Sequence, residues 1–221
     1  MFDFNKVAPV HLARGAHVTA EDGLCFMEMV AWFAGEKHND APSCVSPVLT
    51  VFGIGLNDLM NDTERNTLLK PLVPLIAGTV DPDSEQKRAE FLIMWTVNNI
   101  VPVALINDID RLSSLVPLVR ACEASNTTDE AKNAVFQLHA FDCPRHFYNA
   151  IQMFNGNMNS NAMSLLTKGI NVGVYQASNP RIWELAIEGL RQAILLGRHE
   201  GFVDEADVLS QRSDKLLELV P

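Results

Sequence analysis

Residues 24–34 hold one carboxylate, Glu28, inside an otherwise apolar run of Cys25, Phe26, Met27, Met29, Val30, Ala31, Trp32 and Phe33. A helix that is apolar on every side belongs in a protein interior. An ionised carboxylate buried without a partner costs on the order of 3 to 5 kcal/mol, so Glu28 needs a cation, a metal ion, several hydrogen-bond donors or a proton. Lys37, His38, Asp40, Cys44 and Ser46 follow within twenty residues. Whatever fold the chain adopts, an early helix has to be built around a polar centre.

Helix signals recur along the rest of the chain. Ser46-Pro47 pairs a preferred N-cap with a residue suited to the first helical position, ahead of Val48, Leu49, Val51 and Phe52. Asp62-Thr63-Glu64 opens a further helix, which Pro71 and Pro74 break or kink. Asp81-Pro82-Asp83-Ser84-Glu85 loads a first turn with acid before the long segment 89–106, the expected central helix. Three- and four-residue apolar spacing predicts an amphipathic helix over 108–124, and Thr127-Thr128-Asp129-Glu130 begins the next. Residues 155–178, rich in Asn and Gly, read as a loop, a short helix over 162–168 and an irregular or extended 170–175. Ser178-Asn179-Pro180 starts another helix, and a last one spans 203–219. No alternating stretch is long enough for a sheet, so the expected fold is all-α with roughly eight to ten helices. Residues 1–20 lack helical period and read as an extended N-terminal arm, with 21–221 as a single helical domain.

Composition narrows the function classes. The 221 residues carry a net charge of −10, with 48% hydrophobic and 20% charged content, as in an ordinary globular protein. No Lys/Arg run is present to neutralise phosphates, which disfavours nucleic acid and anionic membrane as partners. The most apolar segment, 91–106, is interrupted by Asn98, Asn99 and Pro102 and is shorter than the ~20 residues of a bilayer span. The first residues show no secretory signal. Cys25, Cys44, Cys122 and Cys143 are therefore expected to be reduced, in a cytoplasmic protein.

The block 25–47 admits three readings. Cys25, Glu28, His38, Asp40 and Cys44 supply the thiolate, imidazole and carboxylate ligands of a zinc site, although their spacing matches no finger pattern. Alternatively, Cys44 lies just before the helix that Ser46 and Pro47 begin, where the dipole lowers a thiol's pKa, with His38 as base and Glu28 orienting it. The structural reading makes the cysteines small buried hydrophobes and has Glu28 cap a turn or pair with an arginine. A second cluster, His139, Asp142, Cys143, Arg145, His146 and Tyr148, surrounds a turn expected at Pro144. If the clusters face each other, Arg145 neutralises Glu28 or His146 shares a metal with it. Asn98 and Asn99 either cross-link helices or face a cavity. Gly53 and Gly55 lack the strand and the Lys-Ser/Thr of a phosphate loop and suit close helix packing. His199-Glu200 lacks the second histidine of a zincin helix.

The stretch from Cys25-Phe26-Met27-Glu28-Met29-Val30-Ala31 through Ala34-Gly35-Glu36-Lys37-His38-Asn39-Asp40-Ala41-Pro42-Ser43-Cys44-Val45-Ser46-Pro47 resembles a signature of uncharacterised helical proteins from bacteria and their phages. The likeness continues through Gly53, Leu56, Asn57, Asp58 and 72–78 and fades beyond about residue 105. It implies that 25–47 is one structural unit and implies no reaction. The leading expectation is a non-enzymatic interaction or assembly module with a protein partner or self-association. The competing one is a metal- or cysteine-dependent hydrolase centred on Glu28, His38, Asp40 and Cys44.

Overall fold

Caps and apolar faces produce an all-α protein, seen in a computed structural model that describes Val7, residues 9–154 and 160–197, Asp214 and Leu217. Ten uninterrupted helical stretches occur among the described residues, and the only β-pairing there is an isolated bridge between Leu12 and Leu24. The helix expected over 203–219 and the asparagine-rich loop at 155–159 lie outside the described residues, as do Met1–Lys6 of the arm. No described helix is long and apolar enough to cross a membrane. Contacts divide the chain into two units, one within Met1–Pro82 and Gly197–Pro221, the other Asp83–Leu196. The division falls in Asp81-Pro82-Asp83, a sequence that signals only a helix start.

In the first unit, α1 (Phe26–Ala34) and α2 (Pro47–Leu59) precede a continuous helical run from α3 (Asp62–Glu64) to α4 (Val73–Ile76). Ser46 accepts the Leu49 amide at 3.3 Å and caps α2 as its sequence predicts. Gly53 lies against α1, where an added Cβ would stand 2.6 Å from Met27 Cε, so close packing is its role. Pro71 does not break the third run. The turn ahead of it widens to a π-helix over Arg65–Leu69, which re-registers the ladder where proline would clash with a carbonyl one turn back.

The arm is held by its own peptide groups. Asn66 accepts the Leu12 amide at 2.7 Å and donates to its carbonyl at 3.2 Å. Lys70 Nζ donates to the Val10 carbonyl at 2.5 Å, Asn57 Nδ2 donates to the Ala13 carbonyl at 3.0 Å, and Asp58 accepts the Gly15 amide at 3.0 Å. Lys70 is buried, and burial lowers its ammonium pKa from the ordinary value.

The second unit begins with α5 (Glu85–Trp95), a π-helical turn at Thr96–Ile100 and α6 (Val101–Ala104), again with the widened turn just before a proline, Pro102. The helix expected over 108–124 is split into α7 (Ile106–Arg111) and α8 (Val116–Glu123). Leu112 leaves helical geometry at φ −131°, ψ 87°, and Pro117 falls in the first turn of α8, where its missing N–H leaves no helical bond unmade. Then come α9 (Thr128–Gln137), α10 (Asp142–Phe154), α11 (Ser160–Ala177) and α12 (Arg181–Leu195). Pro144 sits within the first turn of α10, so the turn expected there is helix.

Residues 170–175, expected irregular, are helical. Gly169 and Gly173 lie on the face of α11 that meets α10, where a Cβ at 169 would stand 2.6 Å from the Phe147 ring and one at 173 would stand 3.2 Å from Cys143 Sγ. These glycines permit close approach and do not end the helix. Gly189 serves the same purpose against Trp95, whose Nε1 donates to the Leu185 carbonyl at 2.8 Å and pins the indole in place. A Cβ at 189 would lie 2.7 Å from Nε1 and nearer still to Cδ1. Gly189→Ala is expected to destabilise the protein by about 1–3 kcal/mol through overpacking, read as a lower urea midpoint at unchanged slope.

Candidate functional site

The polar centre forms at the first turn of α1. Cys25 is the N-cap, in extended backbone, and its Sγ accepts the Glu28 amide at 3.5 Å. The Glu28 side chain returns to the Cys25 amide at 2.7 Å, completing a capping box in which a thiol replaces the usual hydroxyl. The same carboxylate reaches the arm. Oε1 accepts the His17 amide at 2.6 Å, and Oε2 lies 2.8 Å from His17 Nδ1. Glu28 is 1% exposed. Burial pushes its carboxyl up, but the Cys25 and His17 amides and the His17 imidazole together hold it below the ordinary value. It is therefore ionised at neutral pH, and His17 Nδ1 carries the proton that faces it.

His38 joins the same centre. Its Nε2 is 2.9 Å from the His17 carbonyl, which can only accept, so Nε2 is the donor. The same nitrogen is 3.6 Å from Glu28 Oε1. His17 also covers Gly23, which has φ +137° and whose added Cβ would meet His17 Cδ2 and Nε2 at 2.8 Å. Glycine is required there both for the backbone and for the imidazole.

The residues expected to share this centre separate. Cys25, Glu28 and His38 do come together, whereas no hydrogen bond or ion pair among the described residues joins Asp40 or Cys44 to Glu28. Cys44 belongs to a neighbouring loop clamp in which Glu36 accepts the Ser43 amide at 2.8 Å, the Ser43 hydroxyl at 3.0 Å and the Cys44 amide at 2.9 Å. The expected acidic thiol at the start of α2 is corrected: burial pushes Cys44 up to about 11 and Cys25 up to about 12. Desolvation outweighs the field of the helix end. Among the described residues, no group of three or more His, Cys, Asp and Glu side chains is arranged to hold a metal ion.

The second cluster does not converge either. His139 Nδ1 donates to the Phe136 carbonyl at 2.5 Å, and His146 Nδ1 donates to the Asp142 carbonyl at 2.8 Å. Arg145 pairs with Asp142 at the surface and not with Glu28, because both lie on the exposed first turn of α10. Cys143 is wholly buried, and burial raises its thiol. All four cysteines are unbonded thiols. Asn98 Nδ2 cross-links to the Ser125 carbonyl at 3.0 Å, and its Oδ1 is buried without a partner.

Sequence reasoning missed His17 and Glu36. One signal for His17 is the local turn in which Asp22 accepts the Thr19 amide at 3.2 Å and its hydroxyl at 3.0 Å, folding the arm back toward Cys25. No protein-family model, no curated protein and no solved structure matches the chain.

Glu28→Gln presents an amide N–H₂ to donors and is expected to cost about 2–4 kcal/mol at pH 7. The wild-type carboxyl titrates lower folded than unfolded, so its contribution is complete above about pH 5 and is lost as pH falls through the depressed folded value. The gap between wild type and variant in urea unfolding should accordingly narrow as the solution is acidified.

Proposed function

We propose that this chain is a non-enzymatic helical module of the cytoplasm that binds another protein or a second copy of itself. The observation that carries the reading is an aromatic stack left in the open on α9 and α10. Phe136 is 46% exposed, and its ring lies 5.0 Å from His139 and 5.3 Å from Tyr148, centroid to centroid. Met153, also on α10, is 44% exposed. Rigid aromatics and methionine are the side chains that anchor protein interfaces, because they bury much area at little cost in conformational entropy. The interior polar groups of the first unit support the same reading, since the Glu28 carboxylate is taken up by holding the arm to α1. Four unbonded thiols agree with a reducing compartment.

One observation favours the hydrolase alternative. An imidazole oriented by a buried carboxylate is half of a nucleophile, base and orienter arrangement. Its other half is missing among the described residues: no hydrogen bond joins His17 Nε2 to a hydroxyl or thiol. With Cys44 held protonated near neutral pH, native protein should alkylate slowly at all four cysteines with iodoacetamide at pH 7. Rapid, single labelling of Cys44 would favour the hydrolase.

The interaction reading is tested by placing a benzophenone amino acid at 136 in the full chain and irradiating it in living cells. A discrete cross-linked product, identified as a partner or a second copy and absent when the probe sits at exposed Glu123, is the expected result. The absence of any product from position 136 overturns the reading.

A further inference from the structure

Next to the aromatic stack, one residue beyond His139, the second unit opens into a groove of about 800 Å³. Asp108 of α7, Asp142 of α10, and Tyr175 and Gln176 of α11 all line it. From the groove and its hydrogen bonding we infer that it takes an arginine side chain of a partner protein. The inference rests on the interaction reading and names the chemistry of its partner.

Both side-chain amides of the groove turn an N–H inward, and the hydroxyls of Tyr175 and Ser178 can accept as well as donate. Gln176 Nε2 donates to Asp108 Oδ2 at 3.0 Å, and Asn107 Nδ2 donates to the Ala177 carbonyl at 3.1 Å. These side chains keep oxygen acceptors for a ligand. Asp108 forms no ion pair among the described residues, and Asp142 is paired only with exposed Arg145, an exchangeable surface contact. Among the described residues no lysine or arginine lines the groove, and α11 ends there, adding the negative end of an 18-residue helix. Charge complementarity thus calls for a cation rich in N–H groups.

Tyr175 decides between the two cationic side chains. It is 76% exposed and lines the same groove as the two carboxylates, so its ring is open to a ligand there. A guanidinium stacks flat on such a ring while its fork engages a carboxylate, whereas an ammonium is a compact, strongly hydrated charge that does neither as well. The volume accommodates the flanking backbone of an extended segment besides the side chain.

The test is an NMR titration of the isotope-labelled full chain with three blocked pentapeptides, alanine throughout except for a central arginine, lysine or glutamine. Saturable shifts confined to 107–108, 140–142 and 175–178 are expected with the arginine peptide, at least threefold weaker with lysine and absent with glutamine. Asp108→Asn should weaken arginine binding at least fivefold. Tyr175→Leu, a change at an exposed position that leaves the fold intact, should weaken it at least threefold. No saturable shift, an equal response to glutamine, or unchanged affinity in both variants overturns the inference. If cross-linking from 136 succeeds while this titration fails, only the arginine assignment falls; if both fail, the interaction reading falls with it.

Discussion

Folding of the first unit depends on keeping one buried carboxylate ionised. Glu28 sits among the side chains of an apolar helix, where a lone charge would cost several kcal/mol. The price is met by two backbone amides and an imidazole N–H, one of the amides from the helix's own N-cap and the other two donors from the arm. Hydrogen bonds to a charged acceptor contribute roughly 1.5–3 kcal/mol each, so three of them offset the desolvation and leave a modest surplus. Because two of the three come from His17, α1 is stable at that point only when the arm is in place. His38 adds a second layer by holding the His17 carbonyl. Helix, arm and following loop are one cooperative piece.

Much of this was legible in the residues. That Glu28 must be partnered follows from its neighbours alone, and the starts of α2, α9 and α12 follow from Ser46-Pro47, Thr127 and Asn179-Pro180. The identity of the partner was not legible, because His17 lies in a stretch with no periodic signal and is brought to Glu28 by a turn rather than by a helix face. The acidity of Cys44 differs from its sequence expectation for a physical reason: proximity to a helix N-terminus is visible in sequence, and the degree of burial that outweighs it is not. Gly169 and Gly173 misled in the same way. Glycine signals a breaker from sequence, and only the ring of Phe147 and the sulfur of Cys143 show why nothing larger fits.

The prolines tell a related story. Pro71 and Pro102 fall inside continuous helical runs, each just after a widened π turn, at Arg65–Leu69 and Thr96–Ile100. The extra residue in the turn separates the ring from the carbonyl it would strike, so the chain continues in the same direction. In the second run the widened turn also carries Asn98 and Asn99, and this is how polar side chains enter an otherwise apolar segment and reach Ser125 and Trp95.

The manner in which Lys70, Asn66, Asn57, Asp58, Glu28 and His38 hold the arm has a consequence for how this protein can change over generations. They grip peptide N–H and C=O groups between Val10 and His17, which every residue except proline supplies in full. Within the gripped segment, positions such as His11 and Arg14, whose side chains are neither buried nor gripping, are therefore free to vary, while the gripping side chains on the helices and loop are the ones drift should leave alone. A region that looks featureless to a reader of sequences is thus held in place peptide by peptide.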